Sequence, residues 1–140
     1  MVITFGIFLS LAGLGIGAYF KYYKLSISNN EINRTVNHIN QTRFKALKNP
    51  NNDNYGIHID TIDSKIIGFK NTYTPNHPNN DVLDLEYLNV TELDLLPNIG
   101  TTNEILFEKK TGKTQNTGSF TISNGNYSFT FNINSQGVIN

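Results

Sequence analysis

The sequence predicts an α+β protein in which a long N-terminal α-helix, membrane-spanning in its first half and amphipathic in its second, packs on an antiparallel β-sheet domain. Three observations predict it. Residues 1–20 carry no charge, and no glycine or proline falls between Tyr19 and Lys48, where apolar residues keep a helical spacing. From Tyr55 onward the period drops toward two. At 140 residues the chain has room for one folded unit behind an N-terminal device. The expected divisions are 1–24 for the transmembrane half of the helix, 25–49 for its amphipathic half and 50–140 for the globular domain.

About 20 apolar residues at a rise of about 1.5 Å cover roughly 30 Å, the thickness of a bilayer's hydrocarbon core. A cleaved secretory signal would show a basic beginning, a shorter apolar centre and a small-x-small cleavage site. Here the apolar run leads instead into Lys21, Tyr22, Tyr23 and Lys24, a cluster suited to a membrane–water interface. Ile3, Phe5, Ile7, Phe8, Leu9, Leu11, Leu14 and Phe20 are expected to meet lipid or neighbouring helices. Gly13 and Gly17 form a small-xxx-small pair that lets helices approach closely, although glycine is also common in membrane helices without that role. Taken alone, Lys21 and Lys24 would hold the flank that follows the span in the cytoplasm.

Behind the span, Leu25, Ile32, Val36, Ile39 and Leu47 recur at spacings near three, four and seven, with Phe44 beside them, and are expected to pack on the sheet. Asn29, Asn33, Asn37, Asn40 and Lys45 fill the other faces. The helix should end near Lys48, because Pro50 disfavours helical geometry at Asn49.

The strand signals then come in order. "YGIHID" places Ile57 and Ile59 on one face, "KIIGFKNTY" continues apolar, and "DVLDLEYLNV" alternates Leu83, Leu85 and Tyr87 against Asp84 and Glu86. "EILFEKK", "GSFTIS" and "NYSFTFNI" follow. The turn-rich pieces "NPNNDN", "TPNHPNN", "PNIGTTN", "KTGKTQNTG" and "SNGN" separate the strands, and "SNGN" is the clearest hairpin signal. One antiparallel sheet or two, covered on one face by the helix, is the expected result.

Composition narrows the function. The formal net charge is 0 and charged residues make up 16 %, so no chain-wide basic field attracts nucleic acid. The absence of cysteine removes disulfides, thiol nucleophiles and cysteine–metal sites. His38, His58 and His77 have no metal-ligand spacing, and the chain contains no nucleophile elbow or phosphate-cradling glycine loop. "NPNNDNYG" alternates Asn49, Asn51 and Asp53 loosely as a calcium loop does, but lacks the closing glutamate and reads as a turn. Asn33, Asn40, Asn89 and Asn126 begin Asn-x-Ser/Thr triplets, which chance supplies in a chain this rich in asparagine. Neither an enzyme nor a cofactor or metal is expected.

The order of an apolar helix, an amphipathic helix, "YGIHID" and then "EILFEKKTG…GSFTIS…YSFTFNINSQGVI" resembles the type IV pilin-like proteins. It is closest to the minor pseudopilins of the GspH/FimT group and their competence-system counterparts. The matching tail positions are Leu106 and Phe107, Gly112, Gly118 with Phe120 and Ile122, Phe129 to Ile133, and Gly137 with Ile139. The resemblance implies a pilin-like fold and a structural subunit of a pilus-like fibre serving type II secretion, a type IV pilus or DNA uptake. Its partners would be other pilin-like subunits and the bacterial inner membrane, with the C-terminal domain extracytoplasmic.

Two departures qualify it. The family's basic leader, the glycine and phenylalanine at its cleavage site and the glutamate soon after are absent from the sequence given. The expectation is that Met1 lies a few residues inside the family's helix and that a leader, the substrate of a prepilin peptidase, is encoded upstream. Its lysines would also hold the N-terminus inside. The second departure is that the tail "NINSQGVIN" has no basic residue, whereas some relatives resemble DNA receptors with arginines there. Lys109, Lys110 and Lys113 are the weak candidates for phosphate contact. The alternative function is therefore a membrane-anchored extracytoplasmic binding module, with DNA as one ligand.

Overall fold

The computed structural model describes residues 2–96 and 103–140, with the side chains of 16–96 and 103–140. A single helix, α1, runs unbroken over Val2–Leu47, about 70 Å at the ordinary helical rise. Nothing in the sequence interrupts it before Asn49-Pro50. There the chain turns away, Lys48 N donates to Phe44 O, and Asn49 pairs through its side chain with the backbone of Asp53. Among the described residues no helix is long and apolar enough to cross a membrane. The side chains of residues 1–15, most of the span expected from sequence, lie outside that statement.

Seven strands follow: β1 (Tyr55–Asp60), β2 (Lys65–Lys70), β3 (Asp81–Asp84), β4 (Asn89–Leu96), β5 (Glu104–Phe107), β6 (Thr117–Ser123) and β7 (Ser128–Ile133). They form two antiparallel sheets, β3-β2-β1-β5 and β4-β6-β7. The fold is thus one long helix on antiparallel sheets. In the first sheet Ile57 stands opposite Gly68 and Ile59 opposite Ile66, so both isoleucines share the helix-facing side. In the second, Phe120 stands opposite Phe131, their rings stacked at 4.6 Å between centroids. Ile39 of α1, Ile57, Ile59, Ile66 and Ile105 of the first sheet, and Phe120, Ile122 and Phe131 of the second belong to one buried core.

"SNGN" (123–126) supplies the tight connection between β6 and β7, whose strands end at Ser123 and resume at Ser128. Asn124 N donates to Tyr127 O at 3.1 Å, Asn124 Oδ1 accepts from Tyr127 N at 3.0 Å, and Gly125 takes φ +81°, a left-handed setting that favours glycine. The C-terminal tail folds back on β7, where Asn132 and Asn140 exchange backbone hydrogen bonds.

The sequence reading needs three corrections. "DVLDLEYLNV" is not one strand: β3 ends at Asp84, residues 85–88 cross over, and β4 begins at Asn89 in the other sheet. The crossover forms because the amides of Glu86, Tyr87 and Leu88 donate to a side chain of α1, described below, rather than to a strand. Second, β4 runs to Leu96, through "TELDLL", which sequence reading passed over. Val90 and Leu93 are three apart, a spacing that a plain strand would send to opposite faces. A bulge between Val90 and Glu92 absorbs one residue and turns Val90, Leu93 and Leu95 the same way. Third, Leu25 does not pack on the sheet. It is 37 % exposed, because the first helix residue that the domain buries is Ser28. The expected break "PNIGTTN" lies, apart from Asn103, outside the described residues.

Candidate functional site

Among the described residues, the helix that emerges from the domain carries a close run of exposed large apolar side chains. Ile16, Tyr19, Phe20, Tyr22, Tyr23 and Leu25 are all exposed, Tyr22 by 74 % and Phe20 by 55 %. At 100° per residue they cover more than half of the helix circumference, and the remaining arc holds Gly17, Lys21 and Lys24. Gly17 is exposed as well, and a Cβ added to it would meet nothing within 4 Å. Its smallness therefore answers no packing need among the described residues. Ile3, Phe5, Ile7, Phe8, Leu9, Leu11, Gly13 and Leu14 lie on the same helix, with side chains outside the described residues.

From Ser28 the same helix is clasped by the sheets. Ile39 is fully buried, Ile32 and Val36 pack against the core, and Leu47 is half-buried while Phe44 stays exposed. The closest face is not this apolar stripe but a neighbouring line of mostly small or hydroxyl residues: Ser28, Glu31, Thr35, His38, Thr42 and Ala46, all buried at spacings of three and four. Small side chains let the helix lie close to β2. A Cβ at Gly68 would stand 2.8 Å from Thr42 Oγ1.

Glu31 anchors the arrangement. It is 2 % exposed, and its Oε1 accepts from Glu86 N at 2.7 Å and Tyr87 N at 3.0 Å, while Oε2 accepts from Leu88 N at 2.9 Å. One carboxylate thereby satisfies three amides that no ladder serves. At the far end Arg43 donates from Nε to Gly112 O and from Nη2 to Gln136 O, each at 3.0 Å, joining the helix to the β5–β6 loop and the C-terminal tail. Sequence reasoning missed both residues. The available signal for Glu31 was that it is the first carboxylate in the chain and sits in phase with Ser28, Thr35 and Thr42.

The β6–β7 hairpin tip reaches back along the exposed helix. Asn126 and Tyr127 line an open groove with Gly17, Phe20, Lys21 and Lys24. Among the described residues no carboxylate pairs with either lysine.

The other residues singled out from sequence do not form a reactive centre. Lys109, Lys110 and Lys113 lie in the β5–β6 loop at the C-terminal end of α1, where Lys110 N donates to Ala46 O at 3.0 Å. His38 faces Gly68 from the helix, and burial holds its pKa below the usual value against the opposing pull of Asp81. His58 lies on the other face of that sheet, stacked on Tyr73 at 3.7 Å, and burial lowers its pKa too, with Glu104 and Asp60 opposing. His77 is exposed in the β2–β3 loop, its Nδ1 accepting from Asn79 N. Asp53 of the loosely calcium-like turn is paired with Lys70 at 2.8 Å. Among the described residues no group of three or more potential metal ligands comes together.

Comparison with family models, curated proteins and solved structures finds no match in any of the three.

Proposed function

We propose that this protein is a membrane-held structural subunit that assembles with like subunits through its N-terminal helix. Within that class we assign it to the minor pseudopilins of the type IV pilin-like group, as part of a pilus-like fibre with the sheet domain outside the cytoplasmic membrane. The observation that carries the reading is the band of exposed Ile16, Tyr19, Phe20, Tyr22, Tyr23 and Leu25, continuous with the charge-free run before it. Covering one such side chain gains about 1.5–3 kcal/mol, and lipid or neighbouring helices suit a surface that spans more than half of the helix circumference and that the domain leaves open. The same surface then serves two environments: lipid during storage, sister helices in the fibre. Gly17, where an added Cβ would meet nothing within 4 Å among the described residues, suits the second.

Two of the glycines that carry the family resemblance also support it. A Cβ at Gly118 would collide with the Asp94 carbonyl oxygen, and one at Gly137 with the Gly112 carbonyl oxygen; both residues have positive φ. The motif's glycines thus answer to backbone approach in this fold.

The test is fractionation of the producing cell. The chain should resist alkaline extraction from membranes, appear in sheared fibres, and cross-link to other pilin-like subunits through Gly17→Cys, a unique thiol in a chain without cysteine. A full-length product that is monomeric in detergent-free buffer sinks the proposal. The second reading, a tethered DNA-binding module, draws on the lysine loop beside the helix end. It requires salt-sensitive DNA retention that Lys109→Gln, Lys110→Gln and Lys113→Gln together abolish.

A further inference from the structure

We infer that the groove between Lys21, Lys24 and the β6–β7 hairpin tip seats the headgroup layer of an anionic membrane, so that the domain rests on the lipid surface through Asn126 and Tyr127. This rests on the membrane-held reading above. Lys21 and Lys24 are three apart and therefore lie on one side of the helix, exposed, in a stretch where the first carboxylate of the chain is Glu31. Their charge is thus uncompensated among the described residues and calls for an anion. Tyr19, Tyr22 and Tyr23 stand at the same level of the helix, and amphipathic rings favour the layer between hydrocarbon and water. Lysines next to that layer add attraction to anionic lipid.

The tip is held ready for this contact. Asn124 Oδ1 accepts from Asn126 N at 3.1 Å and Tyr127 N at 3.0 Å, and Ser123 Oγ accepts from Gly125 N at 3.2 Å. The loop therefore presents the exposed Asn126 amide and the half-buried Tyr127 ring beside the two ammonium groups in one fixed arrangement. These ties on the backbone lower the ordering cost of contact at the tip.

The chain has no cysteine, so Asn126→Cys in the full-length protein gives a single labelling site for an environment-sensitive fluorophore. The protein is reconstituted into vesicles of phosphatidylcholine alone or mixed with phosphatidylglycerol, and quenching by neutral, water-soluble acrylamide is measured. The label at 126 should be shielded in the mixed vesicles, with headgroup occupancy raised roughly tenfold or more by the two lysines. Lys21→Gln with Lys24→Gln, or high salt, should erase the difference, and a label at Lys113→Cys should not respond to lipid charge. Equal quenching in both vesicles overturns the inference, as does a difference that survives the double substitution. Shielding that develops only when sister subunits are added also overturns it, because the groove then seats another chain. Alkaline extraction of the same vesicles separates the two failures. A resistant protein with an unshielded tip refutes the inference alone, whereas an extractable protein refutes the membrane-held reading with it.

Discussion

Residues 16–26 and 28–47 belong to one unbroken helix, yet the first stretch touches almost nothing in its own chain and the second is gripped along its length. In the first, large apolar groups are exposed over more than half of the helix circumference. In the second, the groups closest to the sheet are Ser28, Glu31, Thr35, His38, Thr42 and Ala46. Large apolar surface thus stays open on the first stretch, while the fold binds the second through Ile32, Val36 and Ile39 together with small side chains, close approach and a few directed hydrogen bonds. Backbone continuity makes the two stretches one rod, and their side chains assign them different solvents.

Substitutions can break or sharpen that contrast. The largest effect is expected in the gripped half and its core: Phe120→Ala should cost about 3–5 kcal/mol of unfolding free energy, whereas Phe20→Ala should stay within about 0.5 kcal/mol. Urea titration of both full-length variants in one detergent checks this, and equal losses would erase the distinction between the halves. Next comes Glu31→Ala, which strips the acceptor from three amides and should cost about 3 kcal/mol or more. The amides of Glu86, Tyr87 and Leu88 should then lose protection from hydrogen exchange before those of β6 do.

Arg43→Ala should cost about 1–2 kcal/mol, two hydrogen bonds from a charged donor, and release the tail around Gly137. The histidines add a dependence on pH. His38 and His58 have folded pKa values depressed by burial below the usual 6.5. Below about pH 6.5 the unfolded chain takes up protons that the folded chain resists, so stability is full above that value and falls as pH drops through the folded values. His38→Gln should flatten the dependence, measured as the urea midpoint against pH, and Phe20→Ala should leave it unchanged. The smallest effect belongs to Lys45→Ala: its 3.0 Å pair with Asp81 is about half exposed on both sides and should be worth less than about 0.5 kcal/mol.

Much of this contrast is written in residue periodicity. The unbroken helix follows from the lack of glycine and proline between Tyr19 and Lys48, and the hairpin from "SNGN". What periodicity cannot express is an exception to itself. β4 hides because the bulge after Val90 shifts the alternation by one residue, and the β3–β4 crossover hides because Leu83, Leu85 and Tyr87 alternate well enough to pass for a strand. The gripping face of the helix hides for a related reason. Threonine, serine and a glutamate at helical spacing read as a solvated stripe until Gly68 and the amides of Glu86 to Leu88 come up against them. Leu25 misled in the opposite sense, since its phase matched Ile32 while the domain begins only at Ser28. Ile62, 92 % exposed at the β1–β2 turn, has no explanation in the structure.

Glu31 also decides how the molecule would carry a load. Its three hydrogen bonds hold the short crossover between β3 and β4, and that crossover belongs to neither sheet but joins both. A tug along the rod is therefore delivered to β3 and β4 and shared by the two sheets at once, with Arg43 as a second mooring nearer the tail. The load would fall on one edge strand of each sheet together, β3 and β4, and these would be the first to part from β2 and β6.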